Sequence, residues 1–240
     1  MLRSAFVLFA LSIALVSATS QSQAVPSFDC NKANQPDEKA ICASADLSAL
    51  DVTLSDGYQR LIAKLGRATA NNIHARLLRQ RHACKSDGDC IAKVGANEIP
   101  MVQLVDPSFA PPTGYIKPPE EKYDDAKLRY KVGECLLGQV IELGPRLCSS
   151  ADADGNCPKN LPFDDTGDTV IATGGFFAVE YERVPAIEKS KLGDTVLLCL
   201  KSIPKNCPKD DDRGYIWNWK NLRTNGKWNS PDSEHMCGGA

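Results

Sequence analysis

The sequence has few histidines and none of the short motifs that mark common catalytic sites. Its three histidines lie in no nucleophile motif such as Gly-x-Ser-x-Gly, and no glycine-rich phosphate loop is present. No two acidic residues have a spacing that identifies an acid/base couple. The 28 Lys and Arg residues nearly balance the 30 Asp and Glu residues, which is atypical of a nucleic-acid-binding protein. We therefore predict a protein that is not an enzyme, needs no cofactor and does not bind nucleic acid.

Long apolar runs are also scarce, and the main one lies at the N-terminus. Arg3 precedes an apolar run from Ala5 to Val16, and the small residues Ala18 and Ala24 follow it. This order is typical of a secretory signal peptide, and the run is short for a membrane span, which needs about 20 residues. We predict a signal peptide over residues 1–24, a periplasmic or secreted location, and no membrane span after cleavage.

The ten cysteines lack the Cys-x-x-Cys spacing that a zinc site requires, so we predict no metal site. They form a group of four and a group of six, separated by the proline-rich stretch from Asp106 to Pro119. Exported cysteines usually form disulfides, and both groups are even. We predict five disulfides and two domains, with the first domain at 25–106, a linker at 107–122 and the second domain at 123–240.

The first domain is predicted to be helical. Gln35-Pro36-Asp37-Glu38 is typical of a helix start, and Asp46 could cap a second helix that ends near Gly66. Leucines and a tyrosine recur along that helix at spacings of three and four, at Leu47, Leu50, Leu54, Tyr58, Leu61 and Leu65. A third helix is predicted over Ala70 to Cys84, antiparallel to the second.

Antiparallel helices would bring the start of the second helix close to the end of the third. This geometry predicts the disulfide Cys42–Cys84, with Cys30–Cys90 as a nested outer bridge. The alternative is two local bridges, Cys30–Cys42 and Cys84–Cys90, because the sequence does not determine connectivity.

Several short segments between Ser27 and Ile99 resemble the lysozyme-inhibitor LprI-type N-terminal domain family of bacterial envelope proteins. The resemblance covers under a third of the chain, and the chain departs from the family pattern at Leu77, Gly95 and Glu98. It implies a small, exported, disulfide-bonded helical domain that in some members inhibits lysozyme. The matching segments are Phe28-Asp29-Cys30, Ala33, Glu38-Lys39-Ala40-Ile41-Cys42, Leu47-Ser48-Ala49-Leu50-Asp51, Leu54, Tyr58, Arg81-His82-Ala83-Cys84 and Cys90-Ile91.

The second domain changes to the alternating pattern of β-strands. Gly174-Gly175 and Asn225-Gly226 are typical of hairpins, and the strands are predicted at Cys135–Leu143, Thr169–Thr173, Phe176–Glu182, Asp194–Leu200 and Arg213–Lys220. These features predict an α+β protein in two domains, a disulfide-stapled helical hairpin or bundle followed by a small antiparallel β barrel or sandwich. Cys148–Cys157 is predicted to close a turn, and the partners among Cys135, Cys199, Cys207 and Cys237 are left open.

Tyr215, Trp217 and Trp219 alternate along a predicted strand and therefore share one face. Such a row either fills the core of the sheet or stacks on sugar rings. The packing role is the favoured interpretation, and glycan binding is the alternative.

Two hypotheses for function follow. The first is an exported protein that inhibits a lysozyme-type muramidase by steric binding, with Glu38, Asp51, Arg79 and Arg81 as candidate contacts, although Asp51 and Arg81 could equally form a structural ion pair. The second is a non-inhibitory module that binds peptidoglycan or another envelope protein. Residues 25–106 contain ten basic and ten acidic residues, so the inhibitor hypothesis rests on the resemblance rather than on charge.

Overall fold

The computed structural model describes residues 24–111, 130–147, 158–211 and 213–239. The predicted signal peptide lies outside these residues apart from Ala24, and most of the predicted linker also lies outside them. Helices make up the first part and a β-sheet the second. The elements are α1 (Pro36–Ala43), α2 (Ala45–Leu65), α3 (Arg67–Ala83), α4 (Gly88–Gln103), β1 (Cys135–Pro145), β2 (Asp168–Ala172), β3 (Phe176–Val179), α5 (Pro185–Glu188), β4 (Thr195–Ser202), β5 (Ile216–Asn221) and β6 (Lys227–Pro231).

Local sequence signals account for the ends of the helices. The Ser44 hydroxyl accepts a hydrogen bond from the Leu47 backbone N–H at 3.3 Å, so α2 begins two residues earlier than a cap at Asp46 would place it. Gly66 ends α2, as predicted, and its positive φ of 83° is one that a residue without a side chain adopts readily. Helix α4 was not predicted, although Asp87 caps it by accepting from the Cys90 N–H at 3.0 Å.

The predicted disulfides Cys42–Cys84 and Cys30–Cys90 are wrong. The bridges in this region are the two local ones, Cys30–Cys42 and Cys84–Cys90. The prediction assumed a two-helix hairpin with a core too thin to hold without long-range staples. Helix α4 removes that need, because it packs against both α2 and α3 and closes a shared apolar cluster. That cluster includes Leu50, Leu61, Ile73, Ile99 and Val102.

The strands form one open antiparallel sheet in the order β3-β2-β1-β4-β5-β6. The predicted closed barrel is therefore wrong, and the described strands form no second layer of sheet. The two edges do approach each other, since the Ser230 hydroxyl on β6 donates to the Val179 carbonyl on β3 at 3.3 Å. No strand pairing joins β3 to β6, so these two strands remain the edges of the sheet.

Both faces of the sheet are covered. The inner face buries a cluster that includes Val140, Val170, Leu198, Leu200, Trp217, Trp219 and Trp228. On the outer face, Cys135 and Leu137 of β1 share a cluster with Leu61 and Ile99 of the helical part. Phe109, at the start of the predicted linker, is also buried in that cluster, at 2% exposure. Helices and sheet thus share a core, and the two-domain arrangement is not confirmed.

Two further disulfides lie in the second part. Cys135–Cys199 joins residues that face each other on β1 and β4, and Cys207–Cys237 joins two loops. None of the described cysteines is free. The predicted Cys148–Cys157 bridge falls on residues outside the described ranges. Four disulfides fit a protein that resides outside the cytoplasm.

Candidate functional site

The carboxylate of Glu38, a predicted contact residue, is engaged at the start of α1. Its Oε2 accepts hydrogen bonds from the backbone N–H groups of Asn34 at 2.8 Å and Gln35 at 3.0 Å. These two bonds hold the pKa of Glu38 below its ordinary value. Glu38 therefore caps a helix, and a role in binding a partner stays a prediction.

Arg81 and Asp51 belong to a buried charge network that joins α1, α2 and α3. Arg81 Nε donates to Asp37 Oδ2 at 2.8 Å, and Arg81 Nη1 lies 3.5 Å from Asp51 Oδ1. Asp51 also accepts from the backbone N–H and hydroxyl of Ser27. Burial opposes ionisation of Asp37, which is fully buried, but the hydrogen bonds from His82 and Arg81 lower its pKa. The ion pair considered between Asp51 and Arg81 is thus present in the structure.

Arg79 connects the helices to the sheet. Its guanidinium donates to both carboxylate oxygens of Glu134, which precedes β1, at 2.5 and 2.6 Å. Arg76 lies beside the same carboxylate at 4.0 Å and stacks over the ring of Tyr130 at 3.5 Å. Burial opposes ionisation of Glu134, but its hydrogen bonds with Arg79 and Lys131 bring its pKa below the ordinary value.

The aromatic row lies on the inner face of the sheet. Tyr215 is 8% exposed, Trp217 is 3% exposed and Trp219 is fully buried. The Trp219 ring stacks on that of Trp228 at a centroid distance of 5.6 Å. Tyr215 and Trp217 line part of a cleft of about 420 Å³, but little of either ring is open to a sugar. Their burial favours the packing role.

A larger groove of about 790 Å³ lies between the helices and the outer face of β4, β5 and β6. The end of α2 and the start of α3 form one wall, with Lys64 and Thr69. Asn218 and Lys220 of β5 and Lys227 of β6 form part of the other. A hydrogen bond of 3.1 Å from the Thr195 hydroxyl to the carbonyl of Leu104 joins the helices to the sheet beside this groove.

Three lysines line the groove, and none has an acidic partner among the residues that the structure describes. Lys220 and Lys227 lie directly opposite each other on β5 and β6. Like charges in that position destabilise a sheet. Within the described residues, no carboxylate forms a salt bridge with Lys64, Lys220 or Lys227. Such a site favours a negatively charged ligand.

Among the described residues that line the groove, the one acidic residue is already neutralised. The two oxygens of Asp194 accept from Arg223 at 2.6 and 2.7 Å, and Asn221 donates to it at 2.7 Å. Burial alone would raise its pKa, but the bonds from Arg223 and Asn221 lower it to about 2. Asp194 is therefore ionised at neutral pH, and its charge is matched by Arg223 rather than by the lysines.

Sequence reasoning missed this groove. The alternation that places Trp217 and Trp219 on the inner face also places Asn218 and Lys220 on the outer face, and that signal was available. The position of Lys64 was not, because it depends on how the helices dock on the sheet.

Within the described ranges, no group of three or more His, Cys, Asp or Glu residues could hold a metal ion. Among the helices described, none has the length and apolar character required to cross a membrane.

Comparisons with known proteins add no relative. No protein-family model, no curated protein and no solved structure matches the chain.

Proposed function

We propose that this chain is an exported binding protein of the cell envelope, and that it holds an anionic envelope glycan such as peptidoglycan in the lysine groove. The observation that carries the proposal is the pair Lys220 and Lys227, two cations placed opposite each other without an acidic partner in the described residues. A bound anion would relieve their repulsion. Peptidoglycan offers suitable groups, since its muramic acid units and stem peptides carry carboxylates.

The other groups of the groove suit a sugar chain. Asn218 and Thr69 supply amide and hydroxyl groups that can donate and accept hydrogen bonds. Asn218 donates to Asn229 on β6 at 3.1 Å, which fixes the orientation of this amide pair. Leu65 and Leu222 add apolar surface between the polar groups. A mixed lining of this kind is typical of sites that orient a ligand by a few placed polar contacts.

A second candidate function is inhibition of a muramidase by steric binding. The residues that resemble the LprI-type domain family support this proposal. Arg81 and Asp51, two of the residues that carry that resemblance, meet in the charge network between the helices. Their contacts give them a structural role, so an inhibitory surface would consist of other exposed residues of the helical part.

Co-sedimentation with insoluble peptidoglycan tests the glycan proposal. The protein lacking residues 1–24 should sediment with the polymer at low salt and be released as salt is added, because exposed charges are screened. The double variant Lys220→Glu and Lys227→Glu should bind at least about tenfold more weakly, since each exposed ion pair contributes about 0–1 kcal/mol and reversal also adds repulsion.

The matched control is the double variant Lys201→Glu and Lys205→Glu, which makes the same change in net charge at exposed residues away from the groove. It should retain binding. Equal loss in both double variants, or no sedimentation of the parent protein, would contradict the proposal. A turnover assay with a soluble neutral oligosaccharide distinguishes the second candidate, because only an inhibitor that binds the enzyme would slow cleavage of that substrate.

A further inference from the structure

A separate cavity of about 250 Å³ lies among α1, α2, α3 and α4. Its walls are mostly apolar, with Leu50 and Leu54 from α2, Leu77 from α3 and Ile91 and Val94 from α4. Leu54 and Leu77 are only half-buried. A cavity of about 150 Å³ with walls of this kind suffices for benzene. The helical part can therefore accommodate a small apolar molecule.

Two of the residues that line this cavity each carry a buried polar atom without a hydrogen-bond partner. Glu98 is 3% exposed, and its Oε1 has no partner among the described residues. His74 Nδ1, also buried and unpartnered, lies 3.9 Å from that oxygen. This separation exceeds the reach of a hydrogen bond between them. A buried polar atom left without a partner costs free energy, so a pair of them at one wall points to a ligand.

We propose that this cavity is a binding site for a small organic ammonium ion, with its charged nitrogen between Glu98 and His74 and its apolar group among the leucines. An ammonium group has the two or more N–H donors that a carboxylate oxygen and an imidazole nitrogen together require, whereas a hydroxyl has one. A nitrogen about 2.8 Å from both atoms would donate one N–H to each of them. The two hydrogen bonds would then meet at the nitrogen at an angle of roughly 90°. Since a cavity of about 150 Å³ holds benzene, this larger cavity has room for an apolar group of up to about ten non-hydrogen atoms.

The protonation states support this ligand. Burial raises the pKa of Glu98 to about 8, while the nearby Arg81 lowers it and Asp51 raises it. Burial and the charge of Arg81 lower the pKa of His74, so its imidazole is neutral at pH 7 and Nδ1 can accept. The charged groups that face the site are Asp51, His74, Arg81 and, at the α1 side, Glu38. A cation that enters must displace the proton of Glu98, so its binding strengthens as pH rises towards 8.

Calorimetric titration of the protein lacking residues 1–24 with benzylammonium tests the proposal, with benzyl alcohol as the neutral comparison. We expect saturable binding of the amine and at least tenfold weaker binding of the alcohol. Because the ionised fraction of Glu98 limits binding, the amine affinity should rise roughly twentyfold from pH 6.5 to pH 8.5.

Glu98→Gln removes the acid with little change in shape and should weaken amine binding at least tenfold. Asp89→Asn, which removes an exposed acid from the same helix, should leave it within twofold. His74→Phe keeps the ring beside Tyr58 but removes Nδ1, and should weaken binding severalfold. No saturable binding of benzylammonium up to 10 mM, equal affinity for the alcohol, or unchanged affinity in Glu98→Gln would each overturn the assignment.

Discussion

Replacing Glu98 with glutamine should make the protein more stable and its stability less dependent on pH. Burial in the helical cavity raises the pKa of Glu98 from 4.5 to about 8. Between these two values the folded protein retains a proton that the unfolded chain has released. The folded state therefore loses stability as pH rises through this range, by about 1.4 kcal/mol per pH unit.

The size of the effect follows from the two pKa values. The free energy of unfolding lost through Glu98 is about 1 kcal/mol at pH 5, about 3 kcal/mol at pH 7 and about 5 kcal/mol at pH 9. Glutamine carries no charge at any of these pH values. The stability difference between Glu98→Gln and the parent protein should therefore grow steadily from pH 5 to pH 9.

Urea unfolding of the oxidised protein at pH 5, 7 and 9 measures this difference directly. Asp89→Asn is the control, because it makes the same kind of substitution at an exposed acid of the same helix. Its stability difference from the parent should stay small and constant. A difference for Glu98→Gln that does not change between pH 5 and pH 9 would refute the burial of an unpartnered carboxyl group at this position.

Three other predictions concern the scaffold. Arg81→Ala should lower the free energy of unfolding by about 3 kcal/mol, because it leaves buried carboxylates without their cation; a loss below 0.5 kcal/mol in urea unfolding would contradict this. Removing Cys135–Cys199 should cost about 4 kcal/mol and removing Cys84–Cys90 about 2 kcal/mol, since their sequence separations are 64 and 6; thermal unfolding that ranks them in the opposite order would disagree. Protease cleavage within the predicted linker should leave two fragments that co-elute in gel filtration, because helices and sheet share apolar contacts, and separate elution would instead favour independent domains.

Strand positions were predictable because their signals are local. The alternation of Tyr215, Trp217 and Trp219 indicated both a strand and its buried face, and Gly174-Gly175 indicated the hairpin that joins β2 to β3. Both glycines adopt positive φ values there, which a residue with a side chain adopts only with strain. Whether the sheet closes was not predictable, because closure depends on how strands far apart in the chain approach each other.

The favoured disulfides of the helical part were wrong, and the alternative local pairing was right, because one helix was missed. The proline at position 100 and the glycines at 88 and 95 reduce the helical character of the α4 segment, yet tertiary packing of Ile91, Val94 and Ile99 stabilises it. Without α4, the hairpin required long-range bridges. With α4, the local bridges suffice.

For the candidate sites too, local features were predictable and features that depend on tertiary packing were not. Glu38 and Arg81 were chosen from the sequence as candidate contacts because they are charged residues near predicted helix ends. In the structure, both bind groups of the same chain. The lysine groove and the helical cavity were not found, since each assembles residues from three or more elements. Their chemistry depends on which side chains lack partners, and only the folded chain determines that.

The central claim is that the lysine groove recognises the negative charge of an envelope glycan. The most direct measurement is the affinity of the protein lacking residues 1–24 for two soluble glycans of matched length at several salt concentrations. One is a peptidoglycan fragment that carries muramic acid carboxylates, and the other is a neutral oligomer of N-acetylglucosamine. Tighter binding of the acidic fragment, weakening as salt rises and lost on reversal of Lys220 and Lys227, is the predicted result. Equal affinity for both glycans, or no binding of either, would contradict the claim.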